Sequence, residues 1–361
     1  MVIIQADDKP RATDLQVDPR LRNFAAGTVI PAQPLALTAD LELDERRQRA
    51  LSRYYLAAGA GGIAVGVHST QFAIHDTHAH LLPRVLRLAA EEVAAYGTDE
   101  TILIAGVVGP TQQAVAEAEL ASDLGYSAAL VASYGAGDTT EEELIERSRT
   151  IGQILPVIGF YLQPSVGGRV LSREFWRDLA GLDSVIGIKV APFDRYQTAD
   201  VLWAVARSPR RNQIALYTGN DDHIVGDLLT SYPTPDGDTL TFVGGLLGQW
   251  SLWTAEAVRM LELSRRALAG DVASWAQLQA LDVALTDANG ALFDVRNNFR
   301  GCLPGIHEAL RRQGLMEGLW CLDPHEQLSP GQIAEIDRVW GAYPHLRDDT
   351  FVQQHLADWL A

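Results

Sequence analysis

The feature that most constrains this chain is a rhythm. From Gly27 to about residue 265, eight apolar, β-branched runs alternate with eight amphipathic stretches rich in Ala, Leu, Glu and Arg. The runs are Thr28–Leu35, Gly61–Val67, Thr101–Val107, Ala128–Ser133, Pro156–Leu162, Ser184–Val190, Gln213–Thr218 and Thr239–Gly244. Between them the pattern predicts helices near 44–58, 81–96, 111–124, 140–154, 172–180, 196–207 and 222–230, with an eighth over 251–269. Several starts are signed by cap residues followed by acids, as in Thr139-Thr140-Glu141 and Ser172-Arg173-Glu174. Strands that alternate with helices demand a parallel sheet covered by those helices, and eight such units fit a closed barrel. An open doubly wound sheet would show fewer strands, or a glycine-rich fingerprint after its first strand. The cluster Ala58-Gly59-Ala60-Gly61-Gly62 precedes a strand instead, so it reads as a helix stop. After about residue 270 only helices are predicted, over 272–287, 302–313, 330–341 and 348–360. The expected class is therefore α/β: a (β/α)8 TIM barrel over 26–270 that carries the active site. A polar N-terminal extension over 1–25 precedes it, and a C-terminal helical subdomain over 271–361 follows.

In such a barrel the reactive side chains sit at the C-terminal ends of the strands and in the loops after them. The sixth run, Val185-Ile186-Gly187-Ile188-Lys189-Val190, reads as a strand buried on both faces with one lysine near its end. A buried ammonium loses charge, and a partly neutral amine attacks carbonyls. Tyr161 closes the fifth run one βα unit earlier and is expected to project toward the same mouth, where a phenol can pass protons. His68, Ser69 and Thr70 follow the second run, and their hydroxyls and amides suit a substrate carboxylate. Gly219 after the seventh strand and Leu247 after the eighth are the remaining expected substrate contacts.

These segments resemble the dihydrodipicolinate synthase / N-acetylneuraminate lyase family of class I aldolases, over roughly residues 26–315. Ile186-Gly187-Ile188-Lys189 is similar to the family's Schiff-base lysine segment, and Tyr161-Leu162-Gln163-Pro164 to its Tyr-x-x-Pro segment. Gly219-Asn220-Asp221-Asp222 resembles the Gly-Asp-Asp turn with one residue more. Val67-His68-Ser69-Thr70-Gln71 lies where the family has Gly-Thr-Thr-Gly-Glu. The resemblance implies pyruvate or another 2-oxo acid held as a covalent imine on Lys189, with no further cofactor and no metal. It also implies proton relay by Tyr161, a carboxylate grip at 68–70, and a homo-oligomer, dimer or tetramer. Val166 stands where the synthases carry an arginine for a dicarboxylic partner, and Arg169 is the nearest substitute. The tyrosine that a neighbouring subunit lends in the synthases has Tyr134 as its nearest counterpart.

The reading is thus a Schiff-base lyase of aldolase, dehydratase or synthase type. The alternatives are dihydrodipicolinate synthase proper and a non-catalytic or regulatory barrel of the same fold. The formal charge of −17 argues against nucleic acid as a partner. No run approaches the roughly 18 apolar residues of a membrane span. Two cysteines and no basic-then-apolar leader predict a cytoplasmic protein. His75-Asp76-Thr77-His78-Ala79-His80 and Asp221-Asp222 invite metal readings, and both are set below an exposed helix entry and a helix cap.

Overall fold

The computed structural model describes residues 17–361. The β-branched runs form eight parallel strands: β1 (Val29–Pro31), β2 (Gly62–Val65), β3 (Ile102–Val107), β4 (Ala128–Val131), β5 (Val157–Leu162), β6 (Val185–Ala191), β7 (Ala215–Thr218) and β10 (Phe242–Leu247). They pair in the order β1-β10-β7-β6-β5-β4-β3-β2. The ring closes just past β1, where Ala32 bridges Ala64 and the Gln33 N–H donates to the Ala64 carbonyl at 2.9 Å. The eighth barrel strand lies three residues later than its expected span. Residues 232–240 instead make a small antiparallel hairpin of β8 (Tyr232–Pro233) and β9 (Thr239–Leu240). Its turn holds Pro235-Asp236-Gly237, with Gly237 at φ +87°.

The helices are α1 (Pro19–Ala26), α2 (Glu45–Ala57), α3 (Leu82–Tyr96), α4 (Thr111–Asp123), α5 (Glu141–Ile151), α6 (Arg173–Ala180), α7 (Arg195–Ala206), α8 (Ile224–Leu229) and α9 (Thr254–Leu268). They continue with α10 (Val272–Leu292), α11 (Cys302–Arg312), α12 (Gln332–Ala342) and α13 (Asp349–Trp359). The chemistry of the helix starts is as expected at α5 and α6, where Thr140 and Ser172 cap with their hydroxyls. No helix among the described residues is long and apolar enough to cross a membrane.

Alternation along the strands divides the apolar side chains into two sets. One fills the barrel, with Ile158, Phe160, Leu162, Ile186 and Ala191 among its members. The other packs between barrel and helices, with Val157, Tyr161, Ile188 and Val190. The end of the 1–25 segment contributes α1, which plugs the N-terminal end of the barrel; residues 1–16 lie outside the described residues. Phe24 is fully buried and stacks on Tyr217, with ring centroids 4.5 Å apart, and Gly187 leaves it room, since a Cβ there would sit 2.8 Å from the ring. The Tyr217 hydroxyl donates to the Phe24 carbonyl at 2.7 Å. At the opposite end α11 and the loop before it reach over the mouth.

Candidate active site

β6 carries Lys189 on the face that enters the barrel, and only 6% of the residue is exposed. Its nitrogen lies 4.1 Å from the centroid of the Phe160 ring. Gly219 leaves the space its chain runs through, because a Cβ there would meet Lys189 Cε at 2.8 Å and the Ala191 Cβ at 2.7 Å. Burial pushes the amine well below its ordinary value of 10.5, opposed by the negative charge of Asp221. Burial pushes the Asp221 carboxyl up, opposed by Lys189 in turn. Both groups are thus drawn toward their neutral forms. Asp221 keeps some surface toward the cavity, and the Gln249 N–H donates to its Oδ1 at 3.2 Å. Asn289 Nδ2 donates to its main-chain carbonyl at 2.7 Å, which ties the turn to α10.

The cavity around these groups holds about 530 Å³ of empty space including its mouth, of which about 50 Å³ accepts the centre of a water molecule. At roughly 10–15 Å³ per water, that is room for about three to five waters or a ligand of a few heavy atoms. His68, Ser69, Lys189, Gly219 and Asp221 line it together with Phe160, Val166 and Phe193. Phe293, Phe299, Cys302 and Ile306 close it from the C-terminal helices. His68 is held neutral, with burial and then the Lys189 charge pushing it down to about 4. A larger depression, with about 2380 Å³ of empty space including its mouth, opens at the other end of the barrel beside α1 and Val17, with none of these groups in its wall.

Four expected site residues, Lys189, His68, Ser69 and Gly219, therefore meet at one cavity. Three do not. The Thr70 hydroxyl is occupied beneath it: it donates to the Gln33 carbonyl at 2.7 Å and accepts from the N–H groups of Gly66 and Val67 at 3.0 and 3.2 Å. Leu247 is the last residue of β10 and is buried in the outer core, and Gly248 takes its place in the cavity wall.

Tyr161 requires the larger correction. It faces the helices: its ring packs on Trp176 of α6 at 4.9 Å and its hydroxyl accepts from the Leu171 N–H at 3.4 Å. The cause is strand parity. Phe160, not Tyr161, pairs with Lys189 across β5 and β6, so the phenyl ring enters the barrel and the phenol leaves it.

Arg169 donates to the Thr139 carbonyl at 2.7 Å and Tyr134 stacks on Phe72 at 4.1 Å, so neither lines the cavity. The histidine segment splits. His75 is buried, against the expected exposed helix entry, with Nε2 2.7 Å from the Gly66 carbonyl and Nδ1 3.0 Å from Glu117. His80 is exposed.

Neither a family model nor a curated protein matches the sequence. Solved structures do. The chain is similar to dihydrodipicolinate synthase from Oceanobacillus iheyensis at 19% identity and TM-score 0.70, over 89% of this chain and 98% of that one. It is similar to YagE, a prophage protein of the dihydrodipicolinic acid synthase family from E. coli K12 solved in complex with pyruvate, at 18% identity and TM-score 0.71, over 89% and 98%. N-acetylneuraminate lyase from Fusobacterium nucleatum aligns at 18% identity and TM-score 0.68, over 88% and 99%. At these identities the likeness establishes the barrel and its helical C-terminal region.

Proposed function

We propose that this barrel is a divergent member of the dihydrodipicolinate synthase / N-acetylneuraminate lyase family that binds a small 2-oxo acid as an imine on Lys189 and carries out lyase chemistry on it. The observation that supports this most is the desolvated amine at the end of β6, opening into a cavity sized for a few heavy atoms. The amine attacks the ketone, water leaves, and the resulting iminium draws electrons from the neighbouring bond. Ser69 lines the cavity and offers a hydroxyl to a carboxylate, and neutral His68 adds no charge beside the amine. Dihydrodipicolinate synthase proper has less support. Val166 gives the cavity an apolar wall where that reading wants a guanidinium, and Arg169 is engaged at Thr139.

Incubation with pyruvate and cyanoborohydride is expected to add one pyruvate-derived mass to Lys189, located by peptide mass spectrometry. The sign of the pH dependence follows from the amine. Only its neutral form attacks, and burial lowers its pKa, so the initial trapping rate rises with pH through a midpoint well below 10.5. Absence of any adduct across a panel of 2-oxo acids removes the proposal. A midpoint at the ordinary lysine value removes the claim that burial activates the amine.

A further inference from the structure

An imine on Lys189 is useful only if a proton can leave the carbon beside it, and the expected phenol is turned away. Tyr161 is fully buried among the helix-facing residues, and the Phe160 ring under the amine has no proton to exchange. Besides the lysine, the titratable groups that line the cavity are His68, Asp221 and Cys302. Burial holds the Cys302 thiol protonated, far above its ordinary range, and it acts as an apolar wall. Burial, and then the charge of Lys189, hold His68 neutral and make it a poor proton acceptor there.

Asp221 differs from both. It stands on the turn after β7, the strand next to β6, and no salt bridge among the described residues joins it to Lys189. Both groups line the one cavity, which has room for a ligand of a few heavy atoms. Its position is fixed from two sides, by the Gln249 N–H on Oδ1 and by Asn289 on its carbonyl. Gly219, two residues earlier, keeps the lysine chain and the turn in close approach.

Resting on the imine reading above, we infer that Asp221 is the acid–base group of this site, taking the C3 proton of the bound 2-oxo acid and returning it. In the forward step the carboxylate accepts the proton and the C–H electron pair forms the C2–C3 double bond. The iminium π pair moves onto nitrogen, which leaves a neutral enamine and a protonated Asp221. The reverse step restores both. No oxidant or further reactant enters. The upward shift of the carboxyl suits a group that must hold a proton near neutral pH.

The test uses the full chain, pyruvate and D2O, and reads loss of the methyl proton signal by NMR beside cyanoborohydride trapping. The wild-type protein is expected to exchange. Asp221→Asn should trap pyruvate on Lys189 as well as the wild type, yet exchange its methyl protons about 10²-fold or more slowly, the scale of a lost general base. Asp221→Glu should recover part of the rate, which a merely structural defect would not allow. Tyr161→Phe should exchange normally. Wild-type exchange by Asp221→Asn, loss of trapping in that variant, or loss of exchange in a folded Tyr161→Phe overturns the assignment. Trapping without exchange in the wild type overturns it too and leaves the imine standing, as a barrel that binds without turnover. No trapping in the wild type removes the imine reading and this assignment together.

Discussion

Lys189→Met is expected to abolish pyruvate trapping and methyl exchange while making the protein more stable. Methionine keeps a flexible chain of similar length in the channel beside Gly219, so packing changes little. What disappears is the nucleophile, and with it the covalent route; losses on the order of 10³-fold or more are usual for such a deletion. The gain has a separate source. The residue is buried, its nitrogen lies over the face of Phe160 at 4.1 Å, and none of the salt bridges among the described residues includes it. Removing a poorly compensated buried charge commonly stabilises by about 1–3 kcal/mol. The expected signature is thus a higher melting temperature, by a few degrees, in a protein that no longer reacts. If Lys189 instead served the fold, for example by holding the β7 turn through Asp221, the same substitution would lower the melting temperature. That outcome would count against a catalytic lysine even if activity were lost.

The barrel was readable from the sequence because its signal is redundant. Eight runs and the helices between them can each shift by a few residues and still specify the same closure. The eighth strand did shift, since Thr239-Leu240 belongs equally well to a hairpin once Asp236-Gly237 is recognised as its turn. Lys189 was legible because a lone charge in an apolar strand has few ordinary explanations. Tyr161 was misplaced because Val157-Ile158-Gly159-Phe160-Tyr161-Leu162 is apolar throughout, buried on both faces, and so carries no alternation from which parity can be read. Its 28-residue distance from Lys189 was measured along the chain, whereas a register shift between β5 and β6 sets which side chains face each other. Only the packed barrel shows that Phe160 and Leu162 share the inner face with Ile158. Phe293, Phe299 and Ile306 come to the cavity from helices and loops a hundred residues beyond the lysine, and no local pattern marks such a contact.

The same turn that carries Asp221 is held by a second carboxylate, and its loss is the largest stability effect expected here. Asp227 on α8 is wholly buried. Its Oδ1 accepts from Arg195 at 2.6 Å, and its Oδ2 accepts from the Thr218 hydroxyl at 2.7 Å and from Asn220 Nδ2 at 3.0 Å. Asn220 in turn accepts from the Phe193 N–H at 3.1 Å, so one carboxylate joins the ends of β6 and β7 to α8. Asp227→Ala leaves the Thr218 hydroxyl as a buried donor without an acceptor and Asn220 Nδ2 with only the Thr198 hydroxyl, at 3.2 Å. It also strips the carboxylate from Arg195, which keeps the Tyr232 hydroxyl at 2.9 Å and whose side chain is 40% exposed and can turn to water. Breaking a buried pair by removing one partner costs about 3–5 kcal/mol, and the accessible arginine argues for the lower end, about 3 kcal/mol by urea unfolding. Asp227→Asn keeps one oxygen acceptor and should cost about half as much. Because Lys189 is anchored within β6 while Asp221 depends on this turn, the asparagine variant should retain trapping and lose methyl exchange. A cost under about 1 kcal/mol for the alanine variant would show that the turn is organised from elsewhere. Asn289 on α10, which holds the Asp221 carbonyl, would then be the residue to replace.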